Sequence, residues 1–362
     1  MATAIGRLTN SITRQYPLPD LLSIRLPLAI LLILPIFAPM LLPSSRLLSL
    51  AVTAGIFVIL ANGLHVIFSH TGQLSLAHTT LWGLGAYTAA LLSVHYNWPT
   101  AALIPAAGIS AALGAVVIGI PAFRTAGFSF AIITFASAEI LRLVGNNWSS
   151  LTNGSIGITV LAPPSSIGSI EFNTFDLLAN FYYLTLAFVY LSLVGIFLIR
   201  QSSLGRTFIA IRENESLARS VGINVYLYKL IAFAISGFYA GVAGVFLMYH
   251  QKHIEPGPLS QFGAFFTIQF LLMILIGGRF SMLGPTIGAI IAVFGPVLIN
   301  VAFGDVLDST RIQIIFGGGL VLTVLFSPNG VAGQTKQRFG ATVDRLRRYQ
   351  ERRQGANGGR TA

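Results

Sequence analysis

Long apolar stretches recur along almost the whole chain and are separated by short polar segments. A transmembrane helix needs about 20 apolar residues, and these stretches are apolar on all sides, which argues against coiled coils and the core helices of a soluble protein. The pattern predicts an all-α, polytopic membrane protein with about ten transmembrane helices, several of them short or broken by Gly and Pro. The predicted spans lie near 26–43, 47–68, 76–94, 100–120, 128–145, 181–199, 229–250, 263–278, 285–303 and 312–326.

Composition strengthens this prediction and excludes several kinds of function. Of the 362 residues, 54% are hydrophobic and only 9% are charged, and the mean hydropathy is +0.77. Soluble domains carry about a quarter charged residues. The chain has no Cys, which excludes disulfides and Cys-ligated metals. The spacing of His65, His70 and His78 relative to carboxylates does not suit a zinc site or a catalytic histidine, and no catalytic triad or carboxylate pair stands out, so we do not expect an enzyme.

The distribution of positive charge predicts the orientation of the chain. The net charge is +11, from 22 Lys and Arg against 11 Asp and Glu. Cytoplasmic loops of membrane proteins are enriched in Lys and Arg. With the N-terminus in the cytoplasm, 18 of the 22 basic residues lie inside, which predicts N-in, C-in and an even number of spans. The inside segments are then 1–25, 69–75, 121–127, 200–229, 279–284 and 327–362.

The two ends of the chain have separate interpretations. Residues 1–25 form a cytoplasmic N-terminal segment, and the run 26–43 is interpreted as a retained first helix because no small-residue cleavage motif follows it. Residues 334–362 form a basic cytoplasmic tail that we expect to be disordered. Such a tail more often sets topology or contacts anionic lipid than it binds nucleic acid, so lipid is an expected partner and nucleic acid is not.

Two connections between spans are long. The outer one, about 146–180, is rich in Ser, Asn, Gly and Pro, as loops are. The inner one, about 200–229, contains a predicted amphipathic helix over 206–221 that Gly222 ends. Its pattern alone allows a solvated linker helix on the membrane surface or a helix that docks onto a cytoplasmic partner. Its apolar side holds Ala210, Ile211, Leu217, Ala218 and Val221 together with Asn214, and its polar side holds Arg212, Glu213, Ser216, Arg219 and Ser220.

Five sequence blocks in order resemble the LivM-type permeases of branched-chain amino-acid ABC transporters. The longest is GRTFIAIRENESLARSVGINVYLYKLIAFAISGFYAGVAG at 205–244. The others are TGQLSLAHTTLWGLGAYTAALL at 71–92, RTAGFSFAIITFASAEILRLVGNNWSSLTNGSIGI at 124–158, MILIGGRFSMLGPTIGA at 273–289 and LFSPNGVAG at 325–333. The resemblance covers about 60–333. The chain departs from the family pattern at Arg279 and Phe280, where small residues are usual, and at Ala77, where Gly is usual.

This resemblance implies a transmembrane permease domain over 26–333, in the inner (plasma) membrane of a bacterium. It implies part of the translocation path for branched-chain or related neutral amino acids in an ATP-driven importer. The expected partners are a sister LivH-type permease, two cytoplasmic ATPase subunits and a periplasmic substrate-binding protein. Urea, amides and aromatic carboxylates remain alternative substrates.

ATP and Mg are expected on the ATPase subunits, and no cofactor is expected on this chain. A P-loop needs a Lys after a Gly-rich turn, and neither Lys229, Lys252 nor Lys336 has that context. An ion-coupled secondary transporter is a remoter alternative. Such transporters couple through ionisable residues near the midplane, whereas Glu139 and Arg142 are the only charges within the predicted spans and can neutralise each other.

The candidate site residues form three groups. Residues expected to couple to the ATPase are Arg206, Ala210, Ile211, Arg212, Glu213, Asn214, Leu217, Ala218 and Gly222. Candidates for the translocation path are Asn62, Gln73, Ser75, His78, Thr134, Glu139, Arg142 and Gln269, with Gln313 a further polar residue in a span. Candidates for helix packing are Gly237, Gly241 and Gly244, because small residues allow transmembrane helices to approach closely.

Two of these assignments have open alternatives. Glu139 and Arg142 share a helix face at i, i+3, and they either line the path or form a structural ion pair near the outer end of the helix. The polar segment 69–75 is either an ordinary inner loop or a re-entrant break, which is tolerated only where protein or water surrounds it.

Overall fold

The structure of the chain, a computed structural model, covers most of the predicted spans. It describes residues 33–41, 44–125, 127–160, 166–167, 170–171, 177–257, 260, 262–303 and 317–318. The predicted N-terminal segment and basic tail, Gln313, half of the first predicted span and most of the last predicted span lie outside the described residues.

The described residues are mostly helical. The α-helices are α1 (Ala38–Leu41), α2 (Ser45–His65), α3 (His78–Tyr96), α4 (Thr100–Ala122), α5 (Phe128–Asn147), α6 (Ser149–Thr152), α7 (Leu177–Gln201), α8 (Ser203–Glu213), α9 (Glu215–Ser220), α10 (Val225–Gln251), α11 (Ala264–Gly277) and α12 (Gly284–Phe303). A π-helical turn, Val66–His70, extends α2, and two 3-10 turns cover Leu34–Phe37 and Gly154–Ile156. The strands are β1 (Ile158–Thr159), β2 (Ser166–Ile167), β3 (Ile170–Glu171) and β4 (His253–Ile254).

Eight of the ten predicted spans, from 47–68 to 285–303, coincide with α2 to α5, α7 and α10 to α12. Six helices in the described part of the chain are long and apolar enough to cross a membrane: Ser45–His70, Thr100–Ala122, Phe128–Asn147, Leu178–Gln201, Val225–Gln251 and Gly284–Val301. Helix α11 is shorter, and α3, which packs against α4 and α10, is not among the six. An all-α, multi-pass membrane protein is therefore confirmed.

Helix α10 lies at the centre of the bundle and packs against α2, α3 and α4. Small residues make these close crossings possible, since a side chain at Gly241 would overlap the carbonyl of Ala107. At Gly244, a Cβ atom would lie 2.5 Å from the carbonyl oxygen of Trp82, and at Gly237 it would lie 2.7 Å from that of Ala111. The three glycines singled out in the sequence thus lie at the contacts of α10 with α3 and α4.

The prediction of one continuous helix over 206–221 is wrong. Helix α8 ends at Glu213, and Asn214 has extended backbone angles, φ −157° and ψ 103°. Its side chain accepts a hydrogen bond from the backbone N–H of Leu217 at 2.9 Å and so caps α9. Asn is among the preferred N-cap residues because its side chain replaces a missing helical acceptor. Gly222 follows α9 with φ +87°, which favours glycine.

The helical structure is interrupted between α2 and α3 by an irregular segment, called here a break. Residues 72–77 have no regular secondary structure, and Ser75 and Ala77 are buried. The backbone N–H of Leu76 donates to the hydroxyl of Thr134 in α5 at 3.1 Å. The neighbouring Thr80 donates to the carbonyl of Ala138, near the middle of α5. The segment therefore starts at the exposed Gly72 and enters the protein by Ser75, as a re-entrant break does, and α3 begins deep in the bundle.

A second break follows α10 at the opposite end of the bundle. Strand β4 pairs antiparallel with β1, with Ile254 opposite Ile158. Further along, the ring of Phe262 packs edge-on against Trp82, with centroids 5.9 Å apart, near the start of α3. The hydroxyls of Thr79 and Thr267 then meet at 2.6 Å. The first turns of α3 and α11, each preceded by a break, are thereby joined inside the bundle.

Candidate coupling site and translocation path

Helices α8 and α9, together the coupling segment, lie at one end of the bundle. Phe208, Ile211 and Ala218 are buried against the rest of the chain. Two residues of the predicted apolar side are exposed instead. Leu217 in α9 is 62% exposed, and Val221, which follows α9, is 69% exposed. Ala210, Arg206, Glu213 and Asn214 are also exposed. The segment thus buries one side in its own bundle and presents a mixed apolar and charged surface outward.

Arg212 points inward and joins the coupling segment to the break after α2. Its Nη1 donates to the carbonyl of Ser69 at 2.6 Å, at the end of the π-helical turn. Its aliphatic stem lies against Gly72, where a Cβ atom would be 3.1 Å from the Arg212 Cγ. Its Nε and Nη2 bind the Glu213 carboxylate, and Nη2 is 2.5 Å from Oε1. Arg212 is thus in contact with the segment that leads into 72–77.

The turn between α11 and α12 completes this contact. The guanidinium of Arg212 lies 5.0 Å from the centre of the Phe280 ring, and that of Arg279 lies 4.4 Å from the same centre. Arg279 also lies 5.6 Å from the centre of Phe68. Such cation–π contacts are attractive because the ring face is electron-rich. Sequence reasoning assigned a role to Arg212 but none to Phe68, Arg279 or Phe280, and the departure from the family pattern at Arg279 and Phe280 was the only signal for that pair.

A buried ion pair holds α9 against α10. Lys229, whose side chain is 7% exposed, donates from Nζ to Oε2 of Glu215 at 2.7 Å. Arg219 binds the other carboxylate oxygen at 2.6 Å. Burial raises the pKa of Glu215, but the hydrogen bonds and positive charges of Lys229 and Arg219 outweigh burial and lower that pKa below its ordinary value. Glu215 is therefore ionised at neutral pH and compensates the buried Lys229 charge.

The start of α3 carries a polar cluster deep in the bundle. The hydroxyl of Ser236 in α10 donates to the carbonyl of Gly63 at 2.7 Å. The ring Nε2 of His78 lies 2.9 Å from the same hydroxyl and must therefore be the donor in that contact. The His78 Nδ1 then has no proton, and it has no partner among the described residues. Ser75 accepts from the N–H of Ala77, which orders the break just before His78.

The candidate path residues do not all come together. Gln73, Ser75, His78 and Thr134 lie around the break between α2 and α3. Asn62 donates instead to the Ser192 hydroxyl in α7 at 2.8 Å. Gln269 is half-buried on α11, two residues beyond the Thr267 that meets α3. Within the part of the chain that the structure describes, no three His, Asp or Glu side chains lie close enough to hold a metal ion.

Glu139 and Arg142 form the predicted pair on α5. Nε and Nη2 of Arg142 both donate to the Glu139 carboxylate, with Nη2 2.5 Å from Oε1. The remaining guanidinium nitrogen, Nη1, donates to the carbonyl of Pro256 at 2.9 Å. Arg142 therefore ties α5 to the second break.

The whole helical region between α2 and the last predicted span matches one protein family. A family model described as "Branched-chain amino acid transport system / permease component" matches residues 46–325. The chain belongs to this permease family. The resemblance read from the five sequence blocks is thereby confirmed, and the permease is a multi-pass protein of the inner membrane that serves as a transport subunit.

Individual relatives agree with the family model. The permease is 30% identical over 333 residues to the high-affinity branched-chain amino acid transport system permease protein LivM of Escherichia coli, covering 86% of this chain and 76% of the relative. It is 26% identical over 295 residues to the permease protein LivH of Salmonella typhimurium, covering 77% of this chain and 91% of the relative. The fructose import permease protein FruF of Bifidobacterium longum is 30% identical over 116 residues, covering 31% of this chain and 32% of the relative. No solved structure matches.

Proposed function

We propose that this permease carries branched-chain or related neutral amino acids inward as a membrane subunit of an ATP-driven importer. Its partners in this proposal are a LivH-type sister permease, two ATPase subunits that bind ATP and Mg, and a periplasmic substrate-binding protein. The 30% identity to a LivM permease over 86% of the chain is the observation that carries the proposal. The similarity to LivH supports a pair of related permeases.

The orientation in this proposal is N-in and C-in, with about ten spans. The end of the bundle that holds α8 and α9 is then cytoplasmic. Arg200, Arg206, Arg212, Arg219 and Lys229 lie in or beside this end, as the positive-inside rule requires. The opposite end carries the exposed aromatic residues Tyr96, Trp98 and Trp148, a residue class enriched at membrane–water boundaries.

The exposed side of the coupling segment is the docking surface for an ATPase subunit. Leu217 and Val221 are large apolar side chains exposed at the cytoplasmic end in this orientation, and Glu213 and Arg219 are exposed near them in the chain. Exposed apolar side chains rimmed by charges are typical of protein–protein contacts. The inward side is held by the Lys229–Glu215 pair and by Arg212, so the segment can transmit force without separating from the bundle.

Arg212 carries the movement from the coupling segment into the membrane. When an ATPase subunit moves α8, Arg212 moves with it and displaces the Ser69 carbonyl and Gly72. Ser69 lies just before the segment 72–77, and Gly72 is its first residue. Movement of this segment opens or closes the path beside His78. Coupling through a contiguous contact of this kind requires an element with two arrangements, and an irregular segment is better suited to that than a continuous helix.

Reconstitution of the whole complex in proteoliposomes tests the function. We expect uptake of labelled leucine, isoleucine or valine that requires both ATP and the external binding protein. As a control, the isolated permease should hydrolyse no ATP, because ATP hydrolysis is assigned to the ATPase subunits. Uptake driven by an ion gradient without ATP would reject the mechanism. ATP-driven uptake of urea or an aromatic acid, without leucine uptake, would retain the mechanism and change the substrate.

A further inference from the structure

Glu139 lies at membrane depth and is exposed on the surface of the single chain. Helix α5 runs from Phe128 to Asn147. At 1.5 Å per residue, Glu139 lies about 12 Å below the outer end and about 16 Å from the cytoplasmic end. Its side chain is nevertheless 41% exposed, whereas that of Arg142 is 8% exposed. A charge facing hydrocarbon at this depth is costly, so Glu139 must face water or protein in the assembled transporter.

The carboxylate is oriented with part of its binding capacity free. Arg142 occupies one edge of it with two nitrogens and is itself fixed by the Pro256 carbonyl. A carboxylate has about four lone-pair sites, so acceptor capacity remains on the exposed side. The exposed side of the carboxylate can therefore accept hydrogen bonds from a positively charged group, which binds a carboxylate more strongly than a neutral donor does.

The same face becomes apolar toward the cytoplasm. Phe135 and Ile132 lie four and seven residues before Glu139 and share its side of the helix. Both are exposed in the single chain, as is Phe128 one further turn away. Among the six candidate spans of the described residues, α5 is the least buried. The face thus combines an acceptor for an ammonium group with an aliphatic and aromatic surface directly below it.

We propose that this face of α5 borders the translocation path and that Glu139 binds the ammonium group of an aliphatic amino acid as it passes. This inference rests on the proposed function and assigns a substrate-contacting residue to it. Phe135 and Ile132 contact the apolar side chain of the substrate. Arg142 is a positioning residue, because it holds the carboxylate in place and its remaining nitrogen is already bound to Pro256.

Cysteine labelling of the assembled transporter tests the path. The chain contains no Cys, so Glu139→Cys provides a single reactive site, and Ile140→Cys is the matched control at the same depth, exposed but rotated by 100°. A water-soluble, uncharged methanethiosulfonate should modify the cysteine at position 139 at least about tenfold faster than that at 140. Leucine with the binding protein should slow only the former. Equal rates would overturn the proposal. Modification that stops when the sister permease is added and does not respond to leucine would identify a subunit contact and also overturn it.

Two isosteric or charge-conserving variants test ammonium binding. Glu139→Gln keeps the shape but removes the charge, and Glu139→Asp keeps the charge. A hydrogen bond to a charged group corresponds to about a ten- to hundredfold effect, so leucine uptake efficiency should fall by that factor in Glu139→Gln and by less than about threefold in Glu139→Asp. Subunit recovery and assembly should match the wild type, which shows that the loss is not one of folding. Unchanged uptake in Glu139→Gln overturns the inference. A wild-type complex without leucine uptake overturns the proposed function instead. In that case the labelling of the cysteine at position 139 still decides whether this face of α5 borders water.

Discussion

Arg212 and Ser69 are 143 residues apart in the chain, and the Arg212 guanidinium donates to the Ser69 carbonyl at 2.6 Å. One residue belongs to the coupling segment and the other lies in the π-helical turn, Val66–His70, that leads to the break before α3. A backbone carbonyl cannot be removed by a side-chain substitution, so the effect of this contact is best tested from the arginine. The contact links the element proposed to meet the ATPase with the element that carries Ser75 and His78.

Replacing Arg212 should uncouple ATP hydrolysis from transport. In Arg212→Ala the complex should still hydrolyse ATP, but uptake per ATP should fall by about tenfold or more, since a charge-assisted hydrogen bond and a cation–π contact are both lost. Arg212→Lys should recover only part of the uptake because an ammonium cannot bind Ser69 and stack on Phe280 in the same way. Arg124→Ala, an exposed arginine at the same end, is the control. Equal uptake per ATP in Arg212→Ala and the wild type would contradict a coupling role.

Cysteines on the outward side of the coupling segment should crosslink to an ATPase subunit. Glu213 and Ser216 lie on exposed positions, as do Leu217 and Val221. A cysteine at any of these positions, paired with a cysteine introduced into the ATPase subunit, should form a disulfide on oxidation or a short bifunctional crosslink in the assembled complex, detected by gel electrophoresis. Ala218→Cys, buried at 3% exposure, should not. Free labelling of all the outward positions by aqueous reagents in the complex, with no crosslink, would argue against docking.

Removing one charge of the Lys229–Glu215 pair should destabilise the coupling segment more than removing both charges. Glu215→Gln leaves the buried Lys229 without a counter-charge and should destabilise the coupling segment by about 2 kcal/mol. Adding Lys229→Met, which removes the buried charge, should restore much of the loss because a well-packed apolar side chain can replace a buried pair. Protease sensitivity of the α8–α9 region measures the change. A double variant as sensitive as Glu215→Gln alone would show that the pair does not act as a unit.

The same pair predicts a pH dependence. The folded-state pKa of Glu215 is lowered from the ordinary value of 4.5. Its contribution to stability is therefore complete above about pH 4.5 and declines as the pH falls through the lower folded-state pKa. Protease protection of the coupling segment should be constant between neutral pH and about pH 5 and should fall only in stronger acid. In Glu215→Gln this acid-dependent loss should be absent.

A methyl group at Gly241 should disrupt the centre of the bundle. The backbone of α4 at Ala107 occupies the space a side chain would need, and overpacking costs about 1–3 kcal/mol. Gly241→Ala should lower the thermal unfolding temperature of the detergent-solubilised permease. Gly145→Ala is the matched control in α5, since its Cβ would meet Pro256 at an ordinary 3.7 Å. Similar unfolding temperatures for the two variants would show that α4 can move away from α10.

The sequence alone was sufficient for the all-α membrane fold, for eight spans that coincide with helices, and for the permease family. Hydropathy determines which segments enter the membrane, because each apolar span is a local property of about 20 residues. The family blocks were readable because they are continuous in the chain. The break of the coupling helix at Asn214 was missed, since periodicity records which side is apolar but does not show whether a capping residue interrupts the helix.

Tertiary structure alone decided which polar groups far apart in the chain meet. The contacts between Arg212 and Ser69, His78 and Ser236, and Thr79 and Thr267 join residues between 143 and 188 positions apart. Hydrophobic patterning is nearly uniform around a membrane helix, so it does not specify which face turns toward which neighbour. The facing is set by close packing at small residues such as Gly241 and by the requirement that buried polar groups find partners. For that reason the exposure of Glu139 at membrane depth was visible only once the helices were assembled.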